Sequence, residues 1–278
     1  MGMNAHFECD GIGTHWWFEL LDTMTFPPSL RRDIIQTIEQ FDADYSRFRP
    51  DSYLGRLNRD KVLHNPPEEL LAMMQFAKRM YTASEGAFNI SVGGALHAAG
   101  YGSRKLAAAI DTDFWENVVL RKDIIRIPTN AVIDNGGFGK GWLIDRLGDL
   151  FRARGFDQFV INGGGDILVS SDVPIEFALE HPIDTHTSVG TTRHTHGALA
   201  VSANNKRTWQ HAGRVHQHII DPIQGTNRTY PLSSYVRAES ALLADTMATI
   251  LLLRPELEQQ LSKQFGLKSL FYQNANAS

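Results

Sequence analysis

Apolar residues recur along this chain with two spacings, and the changes between them divide it into strands and helices. Thr14–Leu21 is an aromatic and apolar run that predicts a strand. Ser29–Phe41 carries Leu30, Ile34, Ile38 and Phe41 at helical spacing and predicts a helix. A polar, arginine-rich segment follows from Asp42 to Asn58. Pro66–Ser84 predicts a second helix, with Pro67 suited to its first turn and Leu70, Leu71, Met74, Ala77 and Met80 on one side. Ser84-Glu-Gly-Ala-Phe then opens a glycine-rich loop that reaches Gly102.

The middle of the chain is the most patterned. Ala131–Asp134 predicts the end of a strand, and Asn135–Gly141 a glycine-rich turn. Leu143, Ile144, Leu147, Leu150 and Phe151 form one face of a helix that Gly155 can close. Gln158–Ile161 and Ile167–Ser170 predict strands around the turn Asn162–Asp166, a hairpin. Ile175–Leu179 and Gly197–Ser202 predict strands flanking a polar, His/Thr-rich loop. Ser240–Leu253 and Pro255–Gln264 predict helices, with Gly266 ending the second and Leu267–Tyr272 a last strand. No regular βαβ alternation runs through this order. It predicts an α+β fold, with mixed or antiparallel sheets packed with helices. The expectation is a single compact domain over residues 1–278, flexible at 1–12 and 273–278.

Composition narrows the function. The net charge is −4 and both signs are mixed throughout, with no basic stripe to bind nucleic acid. Cys9 is the only cysteine, so one chain can build neither a disulfide framework nor a cysteine-based zinc site. No apolar run approaches the ~20 residues of a membrane helix, which predicts no membrane insertion. The first residues lack a basic and apolar leader, and the expected location is cytoplasmic.

Four segments carry candidate chemistry. Asp134-Asn-Gly-Gly-Phe-Gly-Lys-Gly-Trp142 leads into a helix, whose first N–H groups and Lys140 can cradle a phosphate. It fits neither a Walker A loop nor G-x-G-x-x-G, and a tight turn with a surface lysine is the other reading. Asn162-Gly-Gly-Gly-Asp166 is a hairpin turn, or a turn whose Asp166 meets a ligand hydroxyl or a metal-bound water. His218 and Asp221 lie on an apolar stretch before a turn, where His218 is either a general base near neutral pH or a hydrogen-bonded histidine beside Asp-Pro. Asp245 and Thr249 share one face of an almost wholly apolar helix. A buried carboxylate there needs a partner, either a hard cation or an arginine. Thr249 is either a cation ligand or a hydroxyl bonded to its own helix. His181, His186, His194 and His196 form a histidine-rich stretch that reads as a solvated loop or, less fittingly, a zinc site.

Together the segments resemble the flavin transferase family known as ApbE. The resemblance rests on Ser46-Arg-Phe-Arg-Pro-Asp-Ser52 with Arg56-Leu-Asn58, Gly86–Val92, Ile133–Asp145, Val160–Ile167, His218–Gly225 and Ala244–Thr249, in the family's order from about Gly13 to Leu270. It implies transfer of FMN from FAD to a Ser/Thr hydroxyl of an acceptor protein, with Mg2+ as cofactor and release of AMP. Asp245 and Thr249 would hold the magnesium with the backbone carbonyl of Gly139, and His218 would be the catalytic base. Lys140 and the glycines around it, Gly137 among them, would hold the FAD diphosphate, and Asn135 counts with the cofactor-binding residues. Asp145, Asp166 and Ser202 match positions lining the nucleotide, Asp221 belongs to the His218 stretch, and Phe48 stands where a tyrosine is common. The acceptor would carry an Asp-x-x-Ser/Thr motif followed by Gly.

This chain departs from the family in places. Asn135 replaces a frequent Leu and Gly139 a frequent Ala, while Ala200-Val-Ser-Ala203 replaces Thr-Ser-Gly and leaves only Ser202 to match. Asp184-Thr-His-Thr187 fits only the first half of the acceptor motif. Three other functions remain open at this point: a magnesium-dependent FAD pyrophosphatase, a protein that holds FAD without turnover, and a zinc hydrolase.

Overall fold

A computed structural model describes residues 4–101, 110–204, 208–211, 214–217, 219–224 and 233–273. The fold is α+β, and the described residues form two compact units.

The first unit comprises residues 1–41, 138–203 and 230–278. Its strands are β1 (Ala5–Gly11), β2 (Thr14–Leu20), β6 (Phe159–Gly163), β7 (Asp166–Glu180), β8 (Ser188–Ala203), β11 (Ser233–Ala238) and β12 (Lys268–Tyr272). They form one antiparallel sheet in the order β1-β2-β6-β7-β8-β11-β12. In β2 the apolar side chains alternate as a half-buried strand requires: Trp16, Phe18 and Leu20 are buried and the residues between them are not. Phe18 stacks on Phe151 of α5 (Gly139–Ala153), with ring centres 6.0 Å apart. Four of the five residues of the predicted apolar face of α5, Leu143, Ile144, Leu147 and Phe151, are buried, and Leu150 is half-buried.

Helix α6 (Ala241–Leu253) starts on Ser240, whose hydroxyl accepts from the Leu243 N–H at 3.2 Å. It is buried on nearly every side, as its uniformly apolar sequence requires. Helices α5 and α6 approach so closely that a Cβ on Gly141 would collide with the Ala241 carbonyl. Helix α7 (Glu258–Phe265) ends at Gly266 in the left-handed conformation (φ 67°), the expected glycine stop. The three-glycine hairpin is present between β6 and β7, with φ of 65° at Gly164 and 100° at Gly165.

The second unit comprises residues 42–137 and 204–229. Helix α1 (Pro28–Tyr45) ends within it; α2 (Tyr53–Asp60), α3 (Glu68–Ala83) and α4 (Gly93–Ala98) follow. Small antiparallel sheets complete it: β3 (Val62–His64), β5 (Ile124–Arg126) and β4 (Val119–Arg121) in that order, and the hairpin β9 (Thr208–His211) with β10 (Arg214–Gln217). Ser52 caps α2 by accepting from the Gly55 N–H at 2.8 Å, so much of the arginine-rich segment is helical rather than irregular.

Several expectations need correction. Residues 5–11 of the stretch expected to be flexible are paired with β2 along their whole length, because Phe7 buries against Phe18 and Phe26. Of the expected C-terminal tail, 274–278 lie outside the described residues. Ala131–Asp134 makes only an isolated bridge, Val92 to Val132. A side chain takes the place of a neighbouring strand: Asn58 accepts from the Ile133 N–H at 2.6 Å and donates to the Ile133 carbonyl at 2.8 Å. The glycine-rich loop after Ser84 contains α4. The histidine-rich loop shrinks to 181–187, since His194 and His196 belong to β8; Val, Thr and a buried His194 suit an alternating strand. Among the described residues no helix is long and apolar enough to cross a membrane.

Candidate active site

In the first unit, five of the predicted residues, Lys140, Asp166, Ser202, Asp245 and Thr249, converge where α5 and α6 meet the sheet. Lys140 lies in the first turn of α5, and its ammonium pairs with Asp166 at the start of β7. The same ammonium is 3.6 Å from Oδ1 of Asp245 on α6. Oδ2 of Asp245 accepts from the Gly141 N–H at 2.9 Å, one of the donors that a helix start leaves without an internal partner. Asp166 also accepts from the Val201 N–H at 3.3 Å. Asp166 and Asp245 are buried, whereas the Lys140 side chain keeps 21% of its surface. Lys140 is therefore neither a loose surface lysine nor sealed away: its charge is shared between two acids.

One turn beyond Asp245, the Thr249 hydroxyl meets that of Ser202 at 3.1 Å. The hydroxyl-to-own-helix bond considered for Thr249 is made instead by its neighbour Thr246, which donates to the Leu242 carbonyl at 2.7 Å. Gly139 is the buried first residue of α5. The local donors are thus carboxylates and hydroxyls. All are hard oxygen donors, and one or two carboxylates with open positions is the usual protein share of a magnesium site. Mg2+ fits this set better than a soft transition metal.

Asp145 is used differently. Its two carboxylate oxygens accept from the N–H groups of Ala241 and Leu242 at 2.8 and 2.9 Å, so it caps the start of α6 from the side of α5. Burial raises its pKa to about 6, against the opposing pull of those two backbone donors.

The remaining predicted residues belong to the second unit. Phe48 is largely exposed, with its ring 6.1 Å from Tyr101 and the Arg47 guanidinium 4.2 Å from its centre. Asn135 donates from Nδ2 to the Tyr45 carbonyl at 3.2 Å. A Cβ on Gly137 would come within 3.1 Å of the Phe88 ring, so a larger residue there would have to displace it. Asp221 is fully buried, and its Oδ1 accepts from Ile223 and Gln224 N–H at 2.9 and 3.2 Å, holding the turn at Asp-Pro. His218 lies outside the described residues.

Sequence reading missed one group of this unit. The buried Arg47 pairs with Asp134 and meets His97 at 2.5 Å, while Asp134 accepts from the Gly136 N–H at 2.5 Å. This pair anchors Asp134, the residue that leads into the glycine-rich turn. Arg47 lies in one of the stretches that carry the resemblance, but nothing in its spacing separates a buried arginine from the exposed Arg49 beside it.

The histidines of β7–β8 go to separate partners. His181 Nε2 meets the Tyr272 hydroxyl at 2.8 Å, His194 Nε2 meets Thr192 at 3.0 Å, and His196 Nδ1 meets Ser170 at 3.4 Å. Among the described residues no group of three or more His, Cys, Asp or Glu is gathered to hold a metal ion.

The family model of ApbE matches residues 12–271. The chain belongs to the ApbE family. Among its ApbE relatives, the FAD:protein FMN transferase of Vibrio cholerae is 26% identical over 255 residues, covering 82% of this chain and 74% of that protein. The protein of the same name from Chlamydia muridarum is 24% identical over 238 residues, covering 80% and 74%. The fold is also that of solved ApbE structures. The Thermotoga maritima ApbE protein superimposes with a TM-score of 0.84 at 19% identity, over 97% of this chain and 94% of that one. The flavin transferase ApbE of Vibrio cholerae gives 0.78 at 22% identity, over 98% and 94%.

Proposed function

We propose that this ApbE chain is an FAD:protein FMN transferase that depends on magnesium and modifies a Ser or Thr hydroxyl of an acceptor protein. The observation that carries the reading is the cluster of Lys140, Asp166 and Asp245 beside the Ser202–Thr249 hydroxyl pair, in a chain whose relatives bear that enzyme's name.

Asp245, Thr249 and the Gly139 carbonyl would hold the magnesium, which when bound supplies Lewis-acid stabilisation of negative phosphoryl oxygens. Lys140 would neutralise diphosphate charge, with Asp166 holding its ammonium in place. Phosphoryl transfer depends mainly on such positioning and charge stabilisation. His218 would take the proton of the acceptor hydroxyl. The acceptor oxygen then bonds to the FMN-side phosphorus as the bond from that phosphorus to the bridging oxygen breaks, and AMP departs with the bridging oxygen. Asn135, Gly137, Ser202, Asp221 and Phe48 are assigned to nucleotide binding. Asp145 contributes by fixing the start of α6, four residues before Asp245.

The test is incubation with FAD and MgCl2, with and without a protein carrying a complete Asp-x-x-Ser/Thr-Gly motif. Intact mass and AMP release are followed. The acceptor should gain one FMN as a phosphoester, and the enzyme itself none. AMP release without a labelled acceptor would show an FAD pyrophosphatase instead. FAD binding without AMP release would overturn the enzymatic reading. In the same assay His218→Ala should slow transfer by ~10²–10⁴-fold, with FAD affinity much less changed; lost binding with normal residual turnover would remove His218 as the base.

A further inference from the structure

Strand β11 pairs with β8 so that Ser234 lies directly opposite Ser202. Directly opposed residues of an antiparallel pair point to the same side of the sheet, with Cβ atoms ~4.5–5.5 Å apart. Ser202 faces α6, because its hydroxyl meets Thr249. Ser234 therefore faces α6 too, while the next pair, Tyr235 and Val201, packs with Leu179 on the other face. Ser234 is fully buried, and among the described residues its Oγ has no hydrogen-bond partner. Leaving a buried hydroxyl unpaired is unfavourable, so this group calls for an explanation beyond packing.

A threonine that turns an oxygen lone pair toward a cation must send its hydroxyl proton elsewhere. On the magnesium reading above, on which this inference rests, Thr249 donates to the Ser202 Oγ. Ser202 then has its own proton to direct, and the hydroxyl opposite it across the strands is Ser234, whose lone pairs are unused. We propose that Ser234 is a positioning residue, the end of a hydroxyl chain running from Thr249 through Ser202 to Ser234 that orients Thr249 toward the cation. Ser234 touches neither the cation nor the substrate. Its hydroxyl is idle without metal and engaged with it.

The two states give opposite expectations for one variant. In the full chain without metal, Ser234→Ala should leave the thermal midpoint unchanged or raise it, since the lost hydroxyl had no partner. In a titration with MgCl2 alone, the metal-dependent rise in that midpoint should move to roughly 10-fold higher concentration, the lower end of what outer partners of metal ligands are worth. Ser202→Ala should shift it at least as far. An unchanged magnesium midpoint in Ser234→Ala, or a lowered thermal midpoint without metal, would overturn the proposal. Asp245→Ala separates the underlying reading. It should abolish the magnesium response. If it does not, or if the unaltered protein shows no response, the magnesium site itself is wrong and Ser234 loses its role with it.

Discussion

Two of the buried acid–base groups among the described residues are built for different ends. Arg47 and Asp134 in the second unit are both nearly sealed from water, with side chains 3% and 9% exposed. Their remaining capacity goes to His97, the Tyr101 carbonyl and the Gly136 N–H. Lys140 in the first unit divides its ammonium between Asp166 and Asp245 and keeps a route to solvent. The first arrangement is closed and holds a turn. The second can exchange partners when a more strongly charged group, such as a diphosphate or a divalent cation, arrives. Burial of charge alone therefore does not mark a functional site; charge that is shared and still reachable does.

Substitutions sharpen this contrast, and the largest effect should come from Asp245→Ala. It should abolish magnesium-dependent AMP release from FAD while the circular dichroism stays that of the folded chain. Normal turnover in a folded variant would remove the acid from the metal site.

Next is a paired comparison. Arg47→Ala strands a buried carboxylate and should cost about 3–5 kcal/mol in urea unfolding. Lys140→Ala, whose partners keep backbone donors, should cost clearly less stability but lower transfer by about 10²–10³-fold, the usual worth of a charge-stabilising donor. Similar stability losses in both variants would break the distinction drawn here.

A buried histidine provides a pH test. Burial, with Arg237 and Lys268 nearby, holds the His194 pKa down to about 4. Above pH 6.5 it is neutral in both folded and unfolded chains, and its site contributes full stability. As pH falls from 6.5 toward 4 only the unfolded chain takes the proton, so stability should drop by up to roughly 3 kcal/mol and then level. His194→Gln should flatten that part of the urea-midpoint profile. A profile that keeps its slope would assign the acid sensitivity to other groups.

The smallest effect belongs to Asp145→Ala, which removes the two backbone contacts at the start of α6. A loss of about 1–2 kcal/mol is expected at pH 7.5, with transfer reduced only through misplacement of Asp245. Full stability would mean that solvent replaces the cap.

Local pattern alone determined much of this molecule. The period of Leu143–Phe151, the alternation in β2, the glycine stop at Gly266 and the three-glycine hairpin all follow from contacts within a few residues, which one stretch of sequence contains entirely. The grouping of Lys140, Asp166, Ser202, Asp245 and Thr249 was legible through the resemblance, since those residues sit in its motifs. Only tertiary structure decided how they are used. Asp145 caps a helix almost a hundred positions away, Asn58 replaces a strand beside Ile133, and Arg47 is sealed while Arg49 is not. Strand pairing alone sets Ser234 against Ser202. Each of these depends on hydrogen bonds and desolvation between segments far apart in the chain, and no periodicity encodes which distant partner a polar side chain will meet.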